Sequence, residues 1–313
     1  MNGEVALMAG LQVVDAEGKA KANRILAELD DLAPLPQVVT KALELIHDSS
    51  SNARELSQVL SLDQALAAKM LSLANSAYHG MPRRVTTITE AVVRLGYNSI
   101  KGLLITASVA GMLQKKVPGY GLEQGSLWQH SISTAIGSRL IAQRLRHGRA
   151  EEAYIVGLLH DVGKIILDRV MRKDFALVLK RVSEEQVPFS TAEREIFGFD
   201  HAYIGGLVAQ KWCLPDHFAD AIAHHHCPSE AVVEKDIAAI VHVADVVSMM
   251  LGIGIGGDGL YYQADASAVS SLHLEAQDIE QLMSDLAQFT ADVQLFLMVG
   301  GEGVGHKKRQ KGT

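Results

Sequence analysis

The chain has 313 residues, 48% hydrophobic and 21% charged, which excludes global disorder and allows one large domain or two of ordinary size. Its net charge of -7 speaks against a nucleic-acid binder, which needs a basic footprint. Cys213 and Cys227 form no disulfide framework, no apolar run reaches the roughly 18 residues of a bilayer span, and the first residues lack a signal peptide's basic region, so a cytoplasmic, membrane-free protein is expected.

Apolar residues recur at intervals of three and four along most of the chain, as in helices, and few segments alternate as strands do. "PQVVTKALELIHD" predicts a helix starting at Pro36, with Val38, Val39, Ala42, Leu43 and Ile46 on one face. "SNARELSQVLSLDQALAAKMLSLANSAY" predicts two helices, the second capped by Asp63. "TITEAVVRLG" carries a capping box at Thr87 and Glu90 and is expected to stop at Gly96, and another helix follows in "NSIKGLLITASVAGML". The Gly- and Pro-containing stretch at 115–125 is a candidate boundary. Further helices are expected at 126–146, 150–162, 168–185, 200–212, 216–226 and 236–251. After them come a flexible "GIGIGGDG" loop, a long final helix and a disordered basic tail. The expected division is a tail at 1–22, helical units at 23–115 and 116–252, a loop and helix at 253–300, and a tail at 301–313. The fold class is all-α.

"GLLHDVGKIIL" places His160, Asp161 and Lys164 inside an apolar run, where desolvated charge costs several kcal/mol unless it is paired. Asp245 lies in "AIVHVADVVSMM", a helix apolar on nearly every face, so a buried carboxylate there calls for a cation or several donors. His130, His201, His225 and His226 also fall in helical context. Imidazole and carboxylate together suit a divalent Mn, Fe, Ni, Co or Zn ion, and a helical bundle draws such ligands from facing helices. Gly163 is expected to end the helix that holds Asp161, placing the carboxylate at a C-terminus whose partial negative charge favours a cation. His224 is expected at the surface, since three adjacent helix positions cannot face one point. Trp128 and Trp212 are expected in packing, Cys227 as a small buried hydrophobe, and Arg83 and Arg84 in a solvated loop. "GIGIGG" at 252–257 follows a helix rather than a strand, so it is not read as a dinucleotide fingerprint.

Over about residues 30 to 250 the sequence resembles the HDOD domain of the HD superfamily. The resemblance rests on seven collinear blocks: "LPQVVTKALELI", "LSLDQALAAKMLSLANSAYHG", "ITEAVVRLGYNSIKGLL", "WQHSISTA", "GLLHDVGKIIL", "GFDHAYIGGLVAQKWCLP" and "AIAHHHCP". It implies an N-terminal helical bundle packed on an HD-like bundle, and a role in bacterial signalling and regulation with protein partners. It also implies a metal set of His130, His160, Asp161 and Asp245. A further likeness to the HD-GYP phosphodiesterases implies a second metal at His201, His225 and His226, with Asp161 bridging. Two such ions would activate a nucleophile and polarise a phosphoester, with Lys164 neutralising a phosphate oxygen. The alternative expectation is therefore a metal-dependent phosphohydrolase or phosphodiesterase acting on a nucleotide or cyclic nucleotide, with a phosphate-containing small molecule as a candidate ligand. The glycine-tyrosine-proline motif of those enzymes is absent from "HHHCPSEAVVEKD", so cyclic di-GMP is not the expected substrate.

Overall fold

Helical periodicity is realised throughout the computed structural model, which describes residues 16–28, 35–48, 50–75, 83–257, 261–262 and 264–300. Most of the expected 1–22 tail, the 301–313 tail, "SAYHG" and the end of "GIGIGGDG" lie outside the described residues. No strand occurs among the described residues, and a lone antiparallel bridge joins Val117 to Leu122. The fold is all-α, and among the described residues no helix is long and apolar enough to cross a membrane.

Helix α1 is Ala16–Glu28 and α2 is Gln37–His47, entered through Pro36. Asn52 caps α3 (Ala53–Leu60) by accepting from the Arg54 and Glu55 N–H groups, and Asp63 caps α4 (Gln64–Ala74) by accepting from Leu66 N–H. Thr87 caps α5 (Ile88–Leu113), as its capping box predicts, while Glu90 reaches back to the N–H of Thr86. The expected stop at Gly96 is a kink: φ 79° and ψ 164° break the helical path, and a second helical stretch runs on from it. Residues 118–120 form a 3-10 turn.

The second half holds α6 (Ser126–Arg144), α7 (Ala150–Leu159), α8 (Val162–Val170), α9 (Phe175–Glu185), α10 (Phe189–Phe197), α11 (His201–Lys211) and α12 (Asp216–Ala223). A 3-10 turn at Pro228–Glu230 leads to α13 (Lys235–Met250), α14 (Ala266–Ser271) and α15 (Ala276–Gly300). Three expectations need correction. The helix expected at 150–162 ends at Leu159, the one expected at 168–185 divides between α8 and α9, and the one expected at 216–226 ends at Ala223. The short helices α10 and α14 carry too few turns to stand out by periodicity.

Helix α6 packs against α7 and α13, and α11 against α8 and α12. The long α5 contacts α2, α3 and α4 on one side and α6, α7 and α8 on the other. Trp128 and Trp212 are buried in the packing, and Arg83 and Arg84 are exposed, as expected. Cys227 is only half-buried, which corrects its reading as a core residue.

Candidate metal centre

The seven expected ligands leave five different places in the chain. His130 comes from α6, His160 and Asp161 from the break between α7 and α8, His201 from the first position of α11, His225 and His226 from the turn after α12, and Asp245 from the middle of α13. Asp161 thus precedes the first turn of α8 rather than ending a helix, and Gly163 lies inside that turn. Gly163 is needed for close approach: a Cβ there would fall 2.0 Å from the His201 carbonyl oxygen and 2.8 Å from the Gly205 nitrogen. Backbone contact between α8 and α11 brings His201 Nε2 to 3.2 Å from Asp161 Oδ1.

The rings are aimed by their outer nitrogens. His130 Nδ1–H donates to Ile253 O (3.1 Å), His160 Nδ1–H to Gly157 O (2.7 Å), His225 Nδ1–H to Ile222 O (2.8 Å) and His201 Nδ1–H to Glu193 Oε2 (2.7 Å). A carbonyl or carboxylate oxygen only accepts, so each such bond puts a proton on Nδ1 and turns Nε2 inward, where it carries a lone pair whenever the ring is neutral. There it meets other acceptors. His130 Nε2 is 2.9 Å from Asp245 Oδ1, and His160 Nε2 is 3.4 Å from Asp161 Oδ2 and 3.6 Å from Asp245 Oδ1. His201 Nε2 and His226 Nε2 are 2.8 Å apart. His160 Nε2, His225 Nε2, Asp161 Oδ1 and Asp245 Oδ1 are buried without a hydrogen-bond partner.

Lone pairs converging in a dry interior are costly unless protons or a metal cation sit among them. The donor set fits a divalent transition metal. The ligand atoms of His130, His160 and Asp245 lie within 4.8 Å of one another, as do those of His201, His225 and His226, and those of His160, Asp161 and His225. Asp161 stands between the groups, with Oδ2 toward His130 (3.6 Å) and His160, and Oδ1 toward His201 and His225 (4.0 Å).

The electrostatics agree. Burial opposes charge on His160, but Asp161 and Asp245 outweigh it and push the pKa up to about 10. Burial likewise opposes charge on His201, yet Glu193 and Asp161 lift it to about 9. His225 and His226 are driven well below the ordinary histidine value, by burial first and then by neighbouring imidazoles. Burial alone would raise Asp161 and Asp245, but the surrounding cations and donors hold both well below the usual carboxylate range.

Lys164 donates to Asp161 Oδ2 at 2.7 Å and lies 5.6 Å from the centre of the Tyr120 ring. Both residues line the cleft over the centre, with Leu122, His130, Phe189, Met249 and residues 254–256. The space is about 20 Å³, roughly one water molecule. The segment after α13 forms one wall of it: His130 is tied to Ile253, and Gly257 N–H donates to the Tyr120 carbonyl at 2.8 Å.

His224 is fully buried, correcting its placement at the surface, because the chain leaves α12 at Ala223 and turns inward. Its Nδ1 binds Asp220 O at 2.8 Å. Sequence reasoning missed Glu193 and Tyr120, and also Tyr262, whose ring lies 5.0 Å from His226. The one available signal was Glu193 in the otherwise unremarked "TAEREIF", eight positions before His201.

Residues 32–228 match the family model described as the HDOD domain. A crystal structure of an HDOD domain protein with unknown function from Geobacter sulfurreducens is 27% identical, with TM-score 0.71, covering 90% of this chain and 96% of that one. A Shewanella amazonensis SB2B structure named "Putative phosphohydrolase" is 26% identical, with TM-score 0.68, covering 88% of this chain and 97% of that one. An uncharacterized protein of Treponema pallidum (strain Nichols) is 25% identical over 258 residues, 82% of this chain and 49% of that protein. The chain spans about half the length of that curated relative.

Proposed function

This chain belongs to the HDOD domain family, and on that premise we propose that it is a bacterial signalling and regulatory domain that retains an HD-type divalent-metal centre. The observation that carries this reading is a complete, pre-aimed ligand set beneath an approach with room for about one water molecule. His130, His160 and Asp245 would hold one ion, His201, His225 and His226 a second, and Asp161 would face both. A bound divalent ion would supply Lewis acidity, and it would tie α6, α11, α13 and the α7–α8 break together. Iron, manganese, nickel, cobalt or zinc suits the donors. The narrow approach favours the structural and regulatory use, with protein partners as the output.

A second reading, a metal-dependent phosphohydrolase or phosphodiesterase, is favoured by Lys164. Its ammonium lies on the cleft wall beside Asp161, where it would attract a phosphate oxygen once the 253–257 segment moved. The similar Shewanella protein bears a phosphohydrolase name. The deciding experiment measures transition metal in purified protein, then turnover of cyclic di-GMP and of a simple aryl phosphodiester by metal-loaded protein, with Asp161→Ala as control. Near-stoichiometric metal without cyclic di-GMP turnover is expected. Turnover of about 1 per second or faster, abolished by Asp161→Ala, lies in the ordinary enzyme range and would replace the first reading with the second.

A further inference from the structure

Glu193, on α10, is completely buried and lies outside every ligand group. A buried carboxylate needs donors, and it has three. Its Oε2 accepts the His201 backbone N–H at 2.8 Å and the His201 ring Nδ1–H at 2.7 Å, while its Oε1 accepts the Tyr120 hydroxyl. Two donors of one residue bound to a single oxygen fix the ring relative to its own backbone. The imidazole cannot swing out without breaking a bond that the main chain holds in register. His130, His160 and His225 lean on backbone carbonyls instead, so His201 is the one of these four rings anchored by a charge. A carboxylate behind an imidazole raises the basicity of the nitrogen facing the metal.

Tyr120 extends the chain outward. Its hydroxyl holds Glu193, its ring lines the cleft, and its carbonyl accepts from Gly257 in the covering segment.

We propose that Glu193 is the positioning residue of the second metal position, fixing His201 with Nε2 inward, and that Tyr120 orients Glu193. This rests on the metal reading above. The test is cobalt(II) titration of the full chain followed by visible absorption, with His226→Ala marking loss of the second position. Glu193→Ala is expected to weaken cobalt binding at that position roughly 10–100-fold and to leave the His130 group unaffected. In Glu193→Gln the side-chain oxygen can still take both His201 donors while the amide nitrogen faces the tyrosine oxygen. It is expected to recover most of the affinity, leaving a deficit within about tenfold, and Tyr120→Phe should behave similarly. A merely structural glutamate would alter melting temperature in these variants without moving the second cobalt spectrum. Should Glu193→Ala fail to fold, Glu193→Gln and Tyr120→Phe decide, and unchanged second-position affinity in both overturns the proposal. Wild-type protein that takes up no cobalt overturns the metal reading and this proposal with it. Wild-type uptake matched by equal uptake in the Glu193 variants overturns this proposal alone.

Discussion

Two aspartates, each 2% exposed, show how differently a helical interior uses a carboxylate. Asp220 closes a structural knot. Its Oδ2 accepts the N–H groups of Val232 (3.1 Å), Val233 (2.8 Å) and Glu234 (3.0 Å), and His224 Nδ1 lies 3.2 Å from Oδ1. These donors hold the turn that carries the chain into α13. Asp245, on α13 itself, meets the Nε2 atoms of His130 and His160, whose Nδ1–H groups are spent on Ile253 and Gly157. Burial would raise both carboxyls, yet both are held low, Asp220 by His224 and backbone N–H groups and Asp245 by the two histidines. The protein satisfies the first carboxylate, whereas the second calls for protons or a cation. Burial alone therefore does not mark a ligand; the balance of donors against acceptors around it does.

The sharpest way to break this comparison is to delete each carboxylate in turn. Asp220→Ala strands three backbone donors, that of Glu234 buried and those of Val232 and Val233 partly so, and is expected to cost about 2–3 kcal/mol, read as a fall in denaturant midpoint. Asp245→Ala should cost the metal-free protein less, because no backbone donor depends on that side chain, but it should abolish stoichiometric metal measured by elemental analysis. Equal destabilisation by both changes, with metal retained in Asp245→Ala, would erase the distinction.

Much of this contrast was legible in the sequence. Asp245 stood out as a carboxylate in a helix apolar on nearly every face, and the all-α fold followed from a period that short-range sequence carries well. Asp220 drew no notice, because its partners are backbone groups, which leave no residue signature. His224 was misplaced for a related reason. Three adjacent positions cannot face one point inside a helix, but α12 ends at Ala223 and the turn redirects each following side chain. Gly163 read as a stop because glycine serves both to end helices and to let backbones touch, and only the crossing of α8 over α11 separates the two uses. Glu193 was hidden because α10 is short and its glutamate acts on a ring on another helix.

A second, smaller effect sharpens the comparison through protons. In the metal-free centre the flanking carboxylates outweigh burial and push His160 up to about 10 and His201 up to about 9, which favours the charged imidazolium at neutral pH. A metal ion must displace those protons. Observed affinity should therefore fall as pH drops below about 9, by as much as tenfold per proton released for each pH unit. Calorimetry at pH 7 in buffers of different ionisation enthalpy should detect one to two protons released, and none would contradict the assignment. Stability of the metal-free fold runs the opposite way. The raised values contribute stability that is fully present below the unfolded histidine value near 6.5 and is lost as pH rises through about 9 to 10. Asp220 adds no such alkaline loss, since its lowered carboxyl contributes above the unfolded value near 3.8 and loses that contribution only in acid.

The finest test separates three consecutive residues. His224 belongs to the Asp220 knot, while His225 and His226 turn toward the metal ligands. The ring of His224 reaches back along α12 to Asp220, and those of His225 and His226 lie 4.9 Å from His160 and 4.7 Å from His201, centre to centre. Replacing His224 with Gln removes a hydrogen bond to a buried carbonyl and a donor beside the Asp220 carboxylate. The expected loss is about 1–2 kcal/mol of stability, in the range of a hydrogen-bond deletion that keeps a polar side chain in place. Metal content should be unchanged, since Asp220 still holds the turn through three backbone donors and the neighbouring rings keep their own anchors. His225→Gln, one position on, should show the reverse emphasis: metal lost, and metal-free stability lowered less, because the lost bond to the Ile222 carbonyl is partly offset by removing a buried ring nitrogen that has no partner. The measurement is paired thermal melting and elemental analysis of the two variants. If His224→Gln emptied the centre as fully as His225→Gln, the structural and ligand roles would not divide between adjacent histidines, and Asp220 would have to be counted as part of the metal centre.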